Sequence, residues 1–414
     1  MRKTILQATA ALVLLVALYL SLGLAAYLVP DKSMRGHVGR TLYIGDLLHN
    51  DYPKAILLED YNVQDQYTLD NFTDALIVNQ ALSLRSEGLK GILLLPRYQW
   101  TDNTMCENVG HLIANDEGGE CVHYGRYWHG STFVTRLLFT LMTFIEIRYL
   151  LYILTSLMML WCTIRLWRTA DGATALAIII GLMTVNVYVM QFSVQFAWVL
   201  ILALATILWM TYHRDMKPAQ CGLLLFVTGS LTAYFDLITV PTLTLGLPLV
   251  AWVALQQQGD WLRGIGNLLL LALWWLAGYV LTWLAKWGLA TLLTDSNIFA
   301  DAYVEATSWN NNSSSYIGAA FGNCLSKVQW FYVAVPALLL TVLAVVRPQK
   351  GGWRMALQYL LVMLIPLVYY LLMAHPAAHH SWFNYRALAT AVAALLAALA
   401  ALVDWQALSH KRKD

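Results

Sequence analysis

Long apolar runs recur along the whole chain and constrain its fold more than any other feature. A helix needs about 20 mostly apolar residues to cross the hydrocarbon core of a bilayer. We therefore predict an all-α polytopic membrane protein with about ten transmembrane helices. The first run is longer than the apolar core of a signal peptide, which predicts a retained membrane anchor. The ten runs are residues 5–29, 149–167, 172–190, 193–212, 219–235, 237–255, 265–291, 329–346, 355–374 and 386–403.

The composition excludes several classes of protein. Hydrophobic residues make up 59% of the chain and charged residues only 12%, whereas soluble domains carry roughly 25% charged residues. The formal net charge of +2 creates no field that would attract nucleic acid. No GxSxG, P-loop or GxGxxG motif is present, which argues against a serine hydrolase, an NTPase or a dinucleotide-binding enzyme.

Lysine and arginine are concentrated on one side of the predicted spans. The short segments on that side hold thirteen basic residues against five aspartates. Basic loops stay in the cytoplasm, so both termini are predicted to be cytoplasmic, in a plasma membrane. The chain then divides into a first span, an extracytoplasmic cap with an interfacial helix, six spans, a second outer loop, and three spans with a basic tail. These parts are residues 1–29, 30–148, 149–291, 292–328 and 329–414.

Residues 69–84 carry the clearest helical pattern of the cap. Asp70 and Asp74 stand four residues apart on one face of this helix, and partial burial of two like charges raises the pKa of one carboxyl. Such a pair is suited to general base chemistry. In the alternative interpretation, Asp70 is a helix N-cap and Asp74 a solvated acid of the first turn.

Aromatic and basic residues cluster where the cap returns to the membrane. Residues 124–130 read YGRYWHG, and residues 131–148 are predicted to form a helix in the outer interface. Arg126 and His129 are candidate ligands of a lipid-anchored phosphate. Alternatively, the aromatic residues serve only as membrane anchors.

Two further sites place charge close to the membrane. Asp236 lies between two apolar runs and is a candidate substrate-binding residue, because a carboxylate at that depth is costly unless it pairs or faces water. The last external turn, 375–386, holds three histidines and ends in arginine. His380 and Arg386 are candidate phosphate ligands, and with a carboxylate the histidines would suit a divalent cation. In the alternative interpretations, Asp236 is exposed in an external turn, and residues 375–386 form a solvated turn with an interfacial arginine.

The five cysteines form no CxxC or Cys/His ligand pattern, so a structural zinc site is not predicted. Cys106 and Cys121 fall in the external loop and are candidates for a disulfide, with Cys324 as a rival partner for either. The other interpretation leaves all five as free thiols.

The arrangement as a whole resembles the GT-C superfamily of membrane glycosyltransferases, which take a sugar from a polyprenyl-phosphate carrier on the outer face. The shared features are a first span, a long acidic outer loop, an interfacial helix, many further spans and a late basic outer loop. Members place an essential acid early in the first outer loop, often as an acidic pair. Glu59-Asp60 matches such a pair, while Asp70 and Asp74 have the helical setting, so the base stays open among these four.

The resemblance implies a specific chemistry. A carboxylate accepts the proton of an acceptor hydroxyl, and cations stabilise the leaving phosphate. The cations would come from Arg126, His129, His380 and Arg386. The implied partners are the bilayer, a polyprenyl-phosphate-linked sugar and a glycan or lipid acceptor. A divalent cation is a candidate cofactor. Two alternatives are a transporter or flippase of lipid-linked saccharides, although no internal repeat supports it, and a non-catalytic membrane assembly subunit.

Overall fold

The computed structural model describes residues 2–44, 69–256, 261–310 and 313–409. Helix α1 (Arg2–Leu28) is followed by α2 (Asp31–Ile44). A mixed region comes next, with α3 (Asn71–Ser83), α4 (Gly91–Leu94), β1 (Pro96–Gln99), α5 (Met105–Ala114), β2 (Glu120–His123) and α6 (Gly130–Leu138). The remainder is helical: α7 (Phe144–Thr169), α8 (Gly172–Met183), α9 (Val187–Phe192), α10 (Val194–Tyr212), α11 (Pro218–Phe235), α12 (Leu243–Leu255), α13 (Trp261–Leu293), α14 (Ile298–Asn310), α15 (Ser313–Ser326), α16 (Trp330–Val346), α17 (Trp353–Leu372), α18 (Ala374–His379), α19 (Ser381–Asn384), α20 (Leu388–Ala401) and α21 (Trp405–Ser409). Short 3₁₀ turns occupy Gly88–Lys90 and Tyr385–Ala387.

Seven helical segments in the described ranges are long and apolar enough to cross a membrane. They are α1, α7, α10, α11, α13, α17 and the continuous segment Ser381–Ala401. An eighth is obtained if α15 and α16, bent by 80° at their junction, count as one span. The protein is therefore an integral membrane protein with an all-α transmembrane region.

Ten separate spans are not observed, because two of the apolar runs are broken. The run 172–190 contains α8, which has 12 residues, and the short α9. Asn186 separates them in a left-handed conformation, with φ of 55°. In the run 237–255 the helix begins only at Leu243, because the first residues of the run form a turn after Asp236. Helices of 12 or 13 residues are about 20 Å long, which is shorter than the hydrocarbon core.

Residues 69–143 fold as a small unit, which we call the α3–α6 unit. Strands β1 and β2 pair antiparallel, with Tyr98 opposite Cys121. The apolar face of α3 packs against Phe139 and Phe144, and against Val194 at the start of α10. The helix predicted over residues 69–84 is therefore present, and it lies directly on the first turns of two spans.

The predicted interfacial helix over residues 131–148 is two helices. Helix α6 ends at Leu138, and α7 begins at Phe144 after a capping box formed by Thr143 and Glu146. Arg136 is fully buried, and its guanidinium donates to the backbone carbonyls of Ala26, Ala81 and Val29. The buried Arg136 thus supplies hydrogen-bond donors to carbonyls near the C-terminal ends of α1 and α3, and helix α6 packs inside the protein.

The main core lies among α8, α10, α12, α17 and α20, where apolar side chains are almost fully buried. In contrast, α1, α7, α13 and α16 expose large apolar side chains, such as Leu14, Leu157, Leu273 and Leu338. Such exposed apolar helix faces are stable in lipid and costly in water. These faces place the helices in a lipid bilayer.

Candidate functional site

Asp70 caps the N-terminus of α3 and is almost fully buried. Its Oδ1 accepts a hydrogen bond from the Thr73 backbone N–H at 3.1 Å, and its Oδ2 accepts one from the Thr73 hydroxyl at 2.7 Å. Burial raises the pKa of the Asp70 carboxyl to about 6, although both Thr73 hydrogen bonds oppose the shift. A carboxylate with this pKa exchanges a proton near neutral pH, as a general base must.

Arg386 is the cation whose charge acts on Asp70. Its guanidinium lowers the pKa of the Asp70 carboxyl, in opposition to the effect of burial. The arginine is 1% exposed, and its Nη1 donates to the Trp382 carbonyl at 2.7 Å. Its guanidinium carbon lies 5.2 Å from the centre of the Phe196 ring. The fold therefore brings a buried carboxylate and a buried cation from distant parts of the sequence within electrostatic reach of each other, and both are candidates from the sequence.

Asp74, one helical turn after Asp70, has a different environment. Arg148 donates to its Oδ2 from Nε at 3.2 Å and from Nη2 at 2.7 Å. The Ser193 hydroxyl and the backbone N–H groups of Val194 and Gln195 donate to the same carboxylate at 3.2 to 3.3 Å. Asp74 is thus neither solvated nor available as a base, because it anchors the N-terminus of α10 and neutralises Arg148.

Gln195 supplies an unpartnered polar group in this neighbourhood. Its side chain is fully buried, and across the described ranges neither Oε1 nor Nε2 has a hydrogen-bond partner. Its backbone contacts Asp74, and the following residue, Phe196, faces Arg386. An unsatisfied buried amide costs about 1–3 kcal/mol, so we expect a further polar group to occupy this place.

Asp236 ends α11 and is buried, which excludes the exposed external turn. Its Oδ2 accepts from the Thr239 backbone N–H at 3.0 Å, and its Oδ1 accepts from the Thr239 hydroxyl. Burial raises the pKa of this carboxyl to about 6. Its charge acts on the Tyr279 and Tyr369 hydroxyls, so Asp236 belongs to an aromatic polar cluster between spans.

Tyr369 connects the surroundings of Asp236 with those of Arg386. Its hydroxyl lies 3.0 Å from the Ile238 carbonyl oxygen and 3.0 Å from Asn384 Oδ1. Asn384 comes two residues before Arg386, at the start of the last span. A single tyrosine therefore links the two polar regions through the interior of the protein.

A cavity of about 230 Å³ opens beside Ile238, between α13 and α14. Its wall is mostly apolar and aromatic, with Tyr279, Trp283 and Trp287 on α13 and Trp309 on α14. Arg126 and Glu305 provide charge at its edge. An elongated apolar group fits the chemistry of this cavity.

Arg126 is already engaged by carboxylates of α14. Its Nη1 lies 3.1 Å from Asp301 Oδ1 and 3.3 Å from Glu305 Oε2. A phosphate would have to compete with both for the guanidinium. The structure therefore places this candidate at the cavity but with its charge compensated.

The two histidine candidates have different environments. His129 is fully buried, and burial together with the charge of Lys286 lowers the pKa of its imidazole to about 3. It is neutral at physiological pH and supplies no positive charge to a phosphate. His380 is exposed, and its ring stacks on Phe383 at 5.3 Å between centroids.

Glu59 and Asp60 lie outside the described residues. Arg148, which no sequence pattern singled out, is the partner of Asp74. No local pattern identifies this pairing, because 74 residues separate the two side chains. None of the five cysteines, all of which lie in the described ranges, forms a disulfide. No protein-family model, curated protein or solved structure matches this chain.

Proposed function

We propose that this protein is a membrane glycosyltransferase that moves a sugar from a polyprenyl-phosphate carrier to the hydroxyl of an extracytoplasmic glycan or lipid. The proposal depends above all on the electrostatic effect of Arg386 on the buried Asp70 carboxyl. A buried carboxylate that ionises near neutral pH lies within the electrostatic reach of a buried guanidinium. Proton transfer from a hydroxyl and departure of a phosphate need these two groups.

The reaction assigns one role to each group. Asp70 accepts the proton of the acceptor hydroxyl as its oxygen forms a bond to the anomeric carbon. The bond between this carbon and the phosphate oxygen breaks, and polyprenyl phosphate leaves with the electron pair. Arg386 stabilises the negative charge of the leaving phosphate. The unpartnered amide of Gln195 is suited to hydrogen bonding with sugar hydroxyls.

The carrier chain is assigned to the cavity between α13 and α14. Its indole and aliphatic walls, including Trp283, Leu284 and Trp287, match a hydrocarbon chain. The backbone of Ile238, which lines the cavity, contacts Tyr369, and Tyr369 contacts Asn384 near Arg386. This arrangement supports a carrier that runs from the lipid towards Arg386.

The proposal requires the α3–α6 unit to face the outside, with both termini in the cytoplasm. The unit adjoins the first turn of α7. At the other end of α7, Arg165 donates to the Thr211 carbonyl at 3.0 Å and Arg214 to the Thr169 carbonyl at 3.2 Å. Basic turns at that end support a cytoplasmic assignment.

Cysteine labelling of intact cells tests this orientation. Glu117 and Asp215 are both exposed, the first in the α3–α6 unit and the second in the turn between α10 and α11. In a Cys121→Ser background, a membrane-impermeant maleimide should label Glu117→Cys in intact cells, and Asp215→Cys only after permeabilisation. The reverse pattern would contradict the proposed function.

Activity is tested with full-length protein in proteoliposomes and a polyprenyl-phosphate-linked sugar carrying a radioactive label. Asp70→Asn keeps a helix-capping side chain but removes the base, so sugar transfer should fall by about 100-fold or more. Asp171→Asn is the matched control, because Asp171 caps α8 through Thr174 with the same two hydrogen bonds. Full activity in Asp70→Asn, or movement of the labelled donor across the membrane without transfer, would overturn the proposal.

A further inference from the structure

Three potential metal ligands meet on the surface of the α3–α6 unit, apart from the proposed reaction site. Cys121 and His123 stand two residues apart on β2, so their side chains share one face of the strand. Glu87 comes from the turn that follows α3. Their ligand atoms, the cysteine sulfur, a histidine ring nitrogen and a carboxylate oxygen, all lie within 4.8 Å of one another.

The separations are close to those of a zinc site. With metal–ligand bonds of about 2.0–2.3 Å, the ligand atoms of a tetrahedral site are about 3.3–3.8 Å apart. Here Glu87 Oε1 lies 3.8 Å from Cys121 Sγ and 3.9 Å from His123 Nε2. The third separation, between Cys121 and His123, is at most 4.8 Å, so a shift of up to about 1 Å would complete the tetrahedral geometry.

The ligand types identify the class of metal. A thiolate and an imidazole favour Zn²⁺ and other borderline transition metals, whereas Mg²⁺ and Ca²⁺ prefer oxygen ligands alone. The side chains of His123 and Glu87 are 38% and 37% exposed, so an ion from solution can reach them and water can take a fourth position. The antiparallel pairing of β2 with β1 fixes the spacing of two of the three ligands.

We propose that Glu87, Cys121 and His123 bind one Zn²⁺ ion. The bound ion joins the turn after α3 to strand β2. The chain continues from β2 into the segment with Tyr124 and Arg126, so the ion also holds the strand that leads to the edge of the cavity. This role is independent of the proposed sugar transfer.

Cobalt binding to the reduced, full-length protein in detergent provides the test. After removal of metals with a chelator, Co²⁺ should produce the absorption band of a cobalt–thiolate bond, and one equivalent of Zn²⁺ should abolish it. Cys121→Ser should eliminate the band. Glu87→Gln and His123→Ala should each weaken Zn²⁺ binding by at least about tenfold, as loss of even an outer-sphere partner does.

Two substitutions in the same unit serve as controls. Cys106 is buried in α5, and His111 pairs with Asp116 at 2.7 Å, so Cys106→Ser and His111→Ala should leave the band unchanged. An absent band in the wild-type protein, or a band that survives in Cys121→Ser, would overturn the proposal. All three ligand positions are at least partly exposed, and unchanged thermal unfolding of the metal-free variants would show that they fold.

Discussion

Asp70 and Asp74 lie one turn apart on the same helix, yet their surroundings differ in kind. Asp74 accepts hydrogen bonds from Arg148, Ser193 and two backbone N–H groups of α10. Asp70 accepts hydrogen bonds from the backbone N–H and the hydroxyl of Thr73, and the charge of Arg386 lowers the pKa of its carboxyl. A carboxylate whose oxygens are fully used stabilises the fold, whereas one with spare acceptor capacity and a pKa near 6 can exchange protons.

The largest effect on stability is expected where the Asp74 pair is broken. Arg148→Met leaves a buried carboxylate without its cation, and removal of one partner of a buried pair costs about 3–5 kcal/mol. We expect a large drop in the midpoint of thermal unfolding, measured in detergent by tryptophan fluorescence. An unchanged midpoint would show that the backbone groups of α10 alone are sufficient for Asp74.

Replacement of each aspartate by asparagine should shift the unfolding temperature in opposite directions at the two positions. Burial raises the pKa of Asp70 in the folded protein from 3.8 to about 6. Its contribution to stability is therefore complete below pH 3.8 and is lost as the pH rises through 6. By linkage this loss is about 3 kcal/mol.

Asp70→Asn cannot ionise, so at pH 7.5 it should unfold at a higher temperature than the wild-type protein. Asp74→Asn should unfold at a lower temperature, because it loses the charge that neutralises Arg148. Measurement of both midpoints at pH 7.5 provides the comparison. Destabilisation of both variants to the same extent would show that the two carboxylates have equivalent structural roles.

The smallest effect is expected at the exposed pair of Arg126. The side chain of Asp301 is 48% exposed, and ion pairs in contact with solvent contribute about 0–1 kcal/mol. Asp301→Asn should therefore change the unfolding midpoint little, and the change should diminish further at high salt. A loss comparable to that of Arg148→Met would show that α14 depends on this contact.

Sequence patterns predicted local structure, which depends on neighbouring residues along the chain. They did not predict contacts between residues that are distant in the sequence. The apolar runs identified the helices, and the period of residues 69–84 identified α3. Hydropathy does not detect the left-handed Asn186 or the turn after Asp236, so two runs were counted as spans although their helices are too short. Asp70 was found through its helix, but its proximity to Arg386 arises only from tertiary packing.

The cluster of Glu87, Cys121 and His123 forms only when the chain folds. Cys121 and His123 follow no CxxC spacing, and their arrangement gains meaning only when Glu87, 34 residues before Cys121, lies beside them. His129 shows the reverse case. Its residue type suggested a cation, whereas burial keeps the ring neutral.

The pH dependence of sugar transfer tests the role of Asp70 most directly. Because the base must be ionised, kcat/KM of the wild-type protein should fall below an apparent pKa of about 6. The residual transfer by Asp70→Asn should lack this limb, while Asp171→Asn should retain it. An identical limb in Asp70→Asn would contradict the assignment of Asp70 as the base.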